Sequence, residues 1–171
     1  MTKSTKTNNE KIYDLSGKFR SEAGAAHYLE AYDKALELWP IPFETIYVRP
    51  RFGETHVIIC GSQNAPPLIL LPGFSFTSTM WYPNVASFAN NYHVYALDTI
   101  VDMGKSPVQA PLCSRLQFMY WLQDIFDSLN INHPVVIGHS NGAWIALQLA
   151  ITTPTFLNKL VLLTPPATFI Q

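Results

Sequence analysis

An α/β architecture built on a mostly parallel sheet follows from three features of the sequence. Continuous apolar runs at 68–71, 135–137 and 160–163 read as strands buried on both faces. Segments with helical spacing separate them, and strands alternating with helices imply parallel pairing through right-handed crossovers. The run at 135–137 passes through Gly138-His139-Ser140-Asn141-Gly142 straight into a helix-forming segment. That order of strand, sharp turn and helix lifts a serine hydroxyl above a sheet as a nucleophile.

Taken along the chain, residues 1–20 are a polar lead-in and 21–171 a single domain, with no repeat, low-complexity tract or dividing linker. Ser21 caps a helix running to about residue 38, with Ala25, Tyr28, Leu29, Tyr32, Leu36 and Trp39 as its buried stripe. Pro40 and Pro42 end it. Segments 43–48 and 55–60 are rich in β-branched and aromatic residues around a turn containing Gly53, which predicts an antiparallel hairpin. After the strand at 68–71 comes a turn-rich loop, 72–79, and helical pattern around 81–88, where Pro83 fits only the first turn. Residues 92–97 form a further strand closed by Asp98. Ser114-Arg115-Leu116-Gln117 fits a capping box and opens a helix to about residue 129, with Leu116, Met119, Leu122, Ile125, Phe126 and Leu129 on one face. A helix from 141 to about 151 follows the serine, and the last strand ends at Pro165-Pro166.

Composition narrows the function. With 48% hydrophobic and 13% charged residues the chain is of the globular kind. A formal charge of -1 gives no electrostatic reason to expect nucleic acid or an anionic membrane as partner. Residues 1–10 lack the apolar run of a secretory signal. No stretch approaches the roughly 18 apolar residues of a spanning helix. Cys60 and Cys113 suggest neither a disulfide framework nor a metal site. These features predict a soluble, cytoplasmic protein without metal or organic cofactor.

The bare G-x-S-x-G pattern arises by chance in roughly one chain in twenty of this length, so its weight comes from the strand before it and the helix after it. At such a turn the serine backbone is strained, and Gly138 and Gly142 remove side chains that would collide across it. Ala143, Ala146 and Ala150 let the following helix lie close to the sheet. Attack on a carbonyl also needs donors for the oxyanion. One is the N–H of Asn141, after the nucleophile; the other comes from the loop after the third strand, where Phe74 is the candidate and Ser75 the fallback.

Leu68-Ile69-Leu70-Leu71-Pro72-Gly73-Phe74, Ala96-Leu97-Asp98, the serine turn and Leu160-Val161-Leu162-Leu163 together resemble the α/β-hydrolase superfamily. Arg51-Phe52-Gly53-Glu54-Thr55-His56-Val57, Ser78-Thr79-Met80-Trp81-Tyr82-Pro83 and Lys105-Ser106 are similar to bacterial carboxylesterases of the naproxen-esterase type. The resemblance implies an α/β-hydrolase fold, represented by its N-terminal portion and truncated after about the sixth strand, whose third and fifth strands are neighbours. It implies Ser140 as nucleophile, Phe74 and Asn141 as oxyanion donors, and a small-molecule carboxylic ester as substrate. The chain departs from the family in two respects. Pro72-Gly73 stands where the family has His-Gly. Residues 141–171 contain no His, Asp or Glu, although in this fold the acid and then the histidine follow the serine.

Among upstream histidines, the position of His139 before the serine predicts a side chain turned away from the oxyanion site. His27, His56, His93 and His133 are expected to be solvated or satisfied. Asp98, Asp102 and Asp124 read as loop or helix-surface charges, Asp98 lying at a strand end where it could support the site. The competing expectations are an esterase, a catalytically inactive α/β-hydrolase-fold protein or binding module, and a relative using peroxide or thioester chemistry. An uncovered last strand predicts association through its apolar edge.

Overall fold

Ser21 Oγ accepts the Gly24 N–H at 3.1 Å and starts α1 (Glu22–Leu36) as its N-cap. The computed structural model describes residues 19–100, 102–107, 112 and 114–166; most of the predicted polar lead-in, and Cys113, lie outside them. The hairpin follows as β1 (Phe43–Val48) and β2 (Thr55–Cys60), then β3 (Pro67–Leu71). A 3-10 turn (Ser78–Trp81) leads into α2 (Tyr82–Ala89), which carries its proline in the first turn. The remaining elements are β4 (His93–Leu97), α3 (Arg115–Ser128), β5 (Val135–His139), α4 (Asn141–Thr152) and β6 (Lys159–Leu163). Every predicted element is present within a residue or two.

The strands form one sheet in the order β1-β2-β4-β3-β5-β6. Only β2 runs against the others: it pairs antiparallel with β1 and β4, while β3 pairs in parallel with β4 and β5, and β5 with β6. The third and fifth strands are thus neighbours. Side chains alternate across the sheet. Ile69, Leu71, Leu97 and Val136 face one core layer with Trp121, Leu122, Ile125 and Phe126 of α3 and Ile145, Ala146 and Leu149 of α4. Leu68, Leu70, Val94 and Ala96 face the other, with Tyr32 and Leu36 of α1, Trp39, Trp81 and Val85. Cys60 belongs to this second layer, and burial pushes its thiol up to about 11, which keeps it protonated and inert.

The capping box at α3 is formed from both sides: Ser114 Oγ accepts the Gln117 N–H at 3.3 Å, and Gln117 Oε1 accepts the Ser114 N–H at 2.9 Å. The expected apolar face of this helix needs one correction, because Leu116 is 51% exposed and Trp121 is fully buried in its place. At 3.6 residues per turn Leu116 lies about 120° from Leu122, off the side of the stripe that Met119, Ile125 and Phe126 define. The Trp121 indole N–H finds Thr55 Oγ1 at 2.8 Å, tying α3 to β2. Asp124 is a charge on the helix surface, as expected, and it is paired: its carboxylate takes Arg51 Nε at 2.8 Å and a second guanidinium nitrogen at 2.6 Å, pinning the hairpin turn to α3. Those bonds hold its pKa below the ordinary value despite partial burial.

Candidate active site

The end of β5 and the start of α4 share a turn in which Ser140 has φ 49° and ψ -116°. A side-chain-bearing residue is held at such angles only where its surroundings over-determine them, and such positions cluster at active sites. Two hydrogen bonds and two close glycine approaches do so here. The Ser140 N–H donates to Leu163 O of β6 at 2.8 Å, and its carbonyl accepts the Trp144 N–H at 3.0 Å. A Cβ on Gly138 would stand 2.4 Å from Gly142 O, and one on Gly142 2.4 Å from Leu71 O, so both must be glycine for strand, turn and helix to meet. Asn141 opens α4, where first-turn N–H groups have no intrahelical acceptor and the helix dipole favours negative charge.

The close approach of Gly142 to Leu71 and Pro72 brings the loop after β3 beside the serine. A Cβ on Gly73 would lie 3.3 Å from Ser140 Cβ. Ser140, Asn141 and Gly73 are therefore brought together at the carboxyl ends of β3 and β5, where open α/β sheets bind ligands. Within the loop, the Phe76 N–H donates to Gly73 O at 3.1 Å. The Ser75 N–H donates to both oxygens of Asp102, at 2.8 and 3.0 Å. The fallback oxyanion donor is thus already engaged. Phe74 and Phe76 are 65% and 50% exposed and make an aromatic rim.

His139 packs against this loop. Its Nδ1 would come 2.7 Å from a Cβ on Gly73, and its ring meets Phe76 edge-on at a centroid distance of 6.1 Å. Strand alternation is the reason: His139 shares the face of Val135 and Ile137, which is the face the loop crosses on its way to α2. Its Nδ1 is buried without a hydrogen-bond partner among the described residues. No described side chain hydrogen-bonds Ser140 Oγ either.

The two aspartates of the loop after β4 are not surface charges. Asp98 is 0% exposed, and its carboxylate accepts Tyr32 Oη at 2.9 Å, His56 Nδ1 at 3.1 Å, the Ser78 N–H at 2.7 Å, Ser78 Oγ at 2.8 Å and the Lys105 N–H at 2.9 Å. Burial alone pushes this carboxyl up; the hydrogen bond and charge of His56, with the Lys105 and Ser78 amides, outweigh it and hold the pKa below the usual value. Tyr32 moves the other way, well above its ordinary pKa, through burial and the Asp98 charge. His56 is satisfied inside this cluster, as expected; His93 bonds Tyr95 Oη at 2.9 Å, while His27 and His133 are exposed. Sequence reasoning missed the Asp102 contact, because a loop aspartate four residues after another carries no pattern tied to chemistry.

Comparison with known proteins agrees with this geometry. The chain is 38% identical to the carboxylesterase YbfK of Bacillus subtilis over 91% of its own length and 53% of that protein's. It is 39% identical to an uncharacterized carboxylesterase, nap, of the same organism, over 84% of this chain and 48% of that protein. The solved structure of the Bacillus subtilis naproxen esterase superposes with a TM-score of 0.84 at 39% identity, covering 88% of this chain and 52% of that one. The chain thus spans about half the length of the curated relatives it matches. The family described as alpha/beta hydrolase fold matches residues 66–171, and with the sheet order and the serine turn this establishes that the chain belongs to the α/β-hydrolase fold family.

Proposed function

We propose that this chain supplies the nucleophile and the oxyanion donors of a serine hydrolase that cleaves small carboxylic esters through an acyl-enzyme. The observation that carries the reading is Ser140 held at positive φ directly beside the Gly73 loop. Ser140 Oγ attacks the ester carbonyl carbon, and the N–H groups of Asn141 and Phe74 receive the negative charge that develops on its oxygen. That attack forms the C–Oγ bond; collapse of the tetrahedral species restores the carbonyl, leaving the acyl group on Oγ, and breaks the bond to the alkoxide, which leaves as the alcohol carrying the serine proton. Water then attacks the acyl group and releases the acid. Ser75 is excluded from the oxyanion role by its bonds to Asp102, which favours Phe74. Two relatives named as carboxylesterases support the substrate class. The base that takes the serine proton lies outside residues 141–171, which hold no His, Asp or Glu. A cytoplasmic location belongs to the same proposal; among the described residues no helix is long and apolar enough to cross a membrane.

One observation, that no side chain among the described residues hydrogen-bonds Ser140 Oγ, favours a second reading, a non-catalytic binding module on the same fold. A fluorophosphonate probe with short-chain p-nitrophenyl esters separates the two. The esterase reading expects one adduct, on Ser140, with ester turnover, both lost in Ser140→Ala. A native chain that takes no adduct and releases no nitrophenolate defeats it and leaves the binding module.

A further inference from the structure

We infer that Asp102 is a positioning residue that clamps the 73–76 loop and so sets where the Phe74 N–H points. The catalytic consequence rests on the esterase reading above; the clamp itself does not.

Asp102 is only 6% exposed, and its carboxylate accepts backbone amides. It accepts the Ser75 N–H on both oxygens and the Met103 N–H at 2.7 Å. The first of these contacts spans 27 residues and joins the loop after β4 to the loop after β3. Charge-assisted bonds from backbone N–H groups to a carboxylate are among the stronger hydrogen bonds a protein makes. Their target is a residue that needs holding: Ser75 has φ 64°, in the left-handed region that side-chain-bearing residues disfavour.

The clamp has a directional effect. Of the amides at 74–76, that of Ser75 is fixed on Asp102 and that of Phe76 on Gly73. Phe74 lies between two fixed points, and its peptide plane is set by them. The His139 ring also packs against Gly73 and Phe76. Pro72 has no N–H to donate within the loop, and the Asp102 contact ties the loop to the segment after β4.

An oxyanion donor acts only if it is already aimed when charge develops, and a misplacement of about 1 Å costs on the order of 100-fold in rate. Two readouts on the full chain test the inference. The first is amide hydrogen exchange at Ser75, which requires no activity. Asp102→Ala should speed exchange there by about ten-fold or more, the order expected for one lost bond. Asp102→Asn, which keeps one carbonyl acceptor, should fall between. The second is the rate at which a fluorophosphonate modifies Ser140. Asp102→Ala should lower the limiting rate by on the order of 100-fold without weakening the initial complex, and Asp102→Asn should restore part of it. Unchanged Ser75 exchange in both variants overturns the clamp. Faster exchange with an unchanged limiting rate overturns its role in positioning. A wild-type chain that is never modified defeats the esterase reading and the catalytic consequence with it, while Ser75 exchange still decides the clamp. Should Asp102→Ala fail to fold, the asparagine variant carries both measurements.

Discussion

The backbone N–H of Ser140 donates to the carbonyl of Leu163 at 2.8 Å, so the serine turn hangs on β6 as well as on the strand that carries it. That bond helps to hold a non-glycine residue at φ 49°, a conformation costing on the order of 1–3 kcal/mol. A site kept at such a cost is expected to trade stability against use.

Ser140→Gly should therefore stabilise the fold. Glycine relieves the strain but enlarges the entropy of the unfolded chain by about 0.5–1 kcal/mol, leaving a net gain of about 1 kcal/mol. For a chain of this size the thermal midpoint rises by about 2–4 °C, and the fluorophosphonate adduct disappears. A midpoint below wild type would show that the turn is not strained.

Gly138→Ala should have the opposite effect. Its new Cβ would meet Gly142 O at 2.4 Å and the Ala143 backbone N at 2.5 Å, both main-chain atoms that cannot swing aside. Overpacking of this kind costs about 1–3 kcal/mol. Denaturant midpoints would register the loss. An unchanged midpoint would mean that α4 can move off β5 freely.

The buried Asp98 cluster makes stability depend on acid. Its folded pKa is held below the unfolded value, which for an aspartate is about 3.9. Its contribution is therefore fully present above that value and is lost as pH falls through the folded pKa. Urea midpoints should hold between pH 5 and 7, to the extent this group governs them, and fall below about pH 4. Asp98→Asn should be less stable at pH 7 by about 2–3 kcal/mol, since hydrogen bonds to a charged group are worth about 1.5–3 kcal/mol each. It should also show a flatter acid limb. An acid limb equal to the wild type's would remove Asp98 from the account.

What the sequence disclosed, and what it hid, divides by the range of the interactions. The Ser114–Gln117 cap, the hairpin around Gly53 and the glycines around Ser140 act over a few residues, and all were readable before any fold was known. The Asp98–His56 and Ser75–Asp102 contacts join residues 42 and 27 positions apart, and no local pattern marks a loop carboxylate as buried. The packing of His139 against Gly73 and Phe76 was equally hidden, because it depends on which face the loop after β3 crosses, a matter of tertiary path rather than of the turn itself. The position of Leu116 is different. Its period was right, but the stripe is narrower at the first turn than the sequence suggests.

On β6 the alternation of the strand divides its side chains between core and solvent. Leu160 and Leu162 pack against the layer that includes α3 and α4, while Val161 and Leu163 are 41% and 40% exposed. They lie on the face that α1 and α2 cover elsewhere on the sheet. β6 is also an edge of the described sheet, with unpaired backbone groups beside this apolar strip. Exposed apolar edges template pairing with other chains. The 171-residue chain is therefore expected to self-associate and to bind a hydrophobic dye such as anilinonaphthalene sulfonate. Val161→Lys with Leu163→Lys should reduce dye fluorescence by about half or more, by breaking up the patch. Because both positions are solvated, the unfolding free energy should shift by no more than about 0.5 kcal/mol for each substitution. Sedimentation of the two chains at several concentrations reads the association directly. A wild-type chain that runs as a single monomeric species and ignores the dye would show that this edge is already protected.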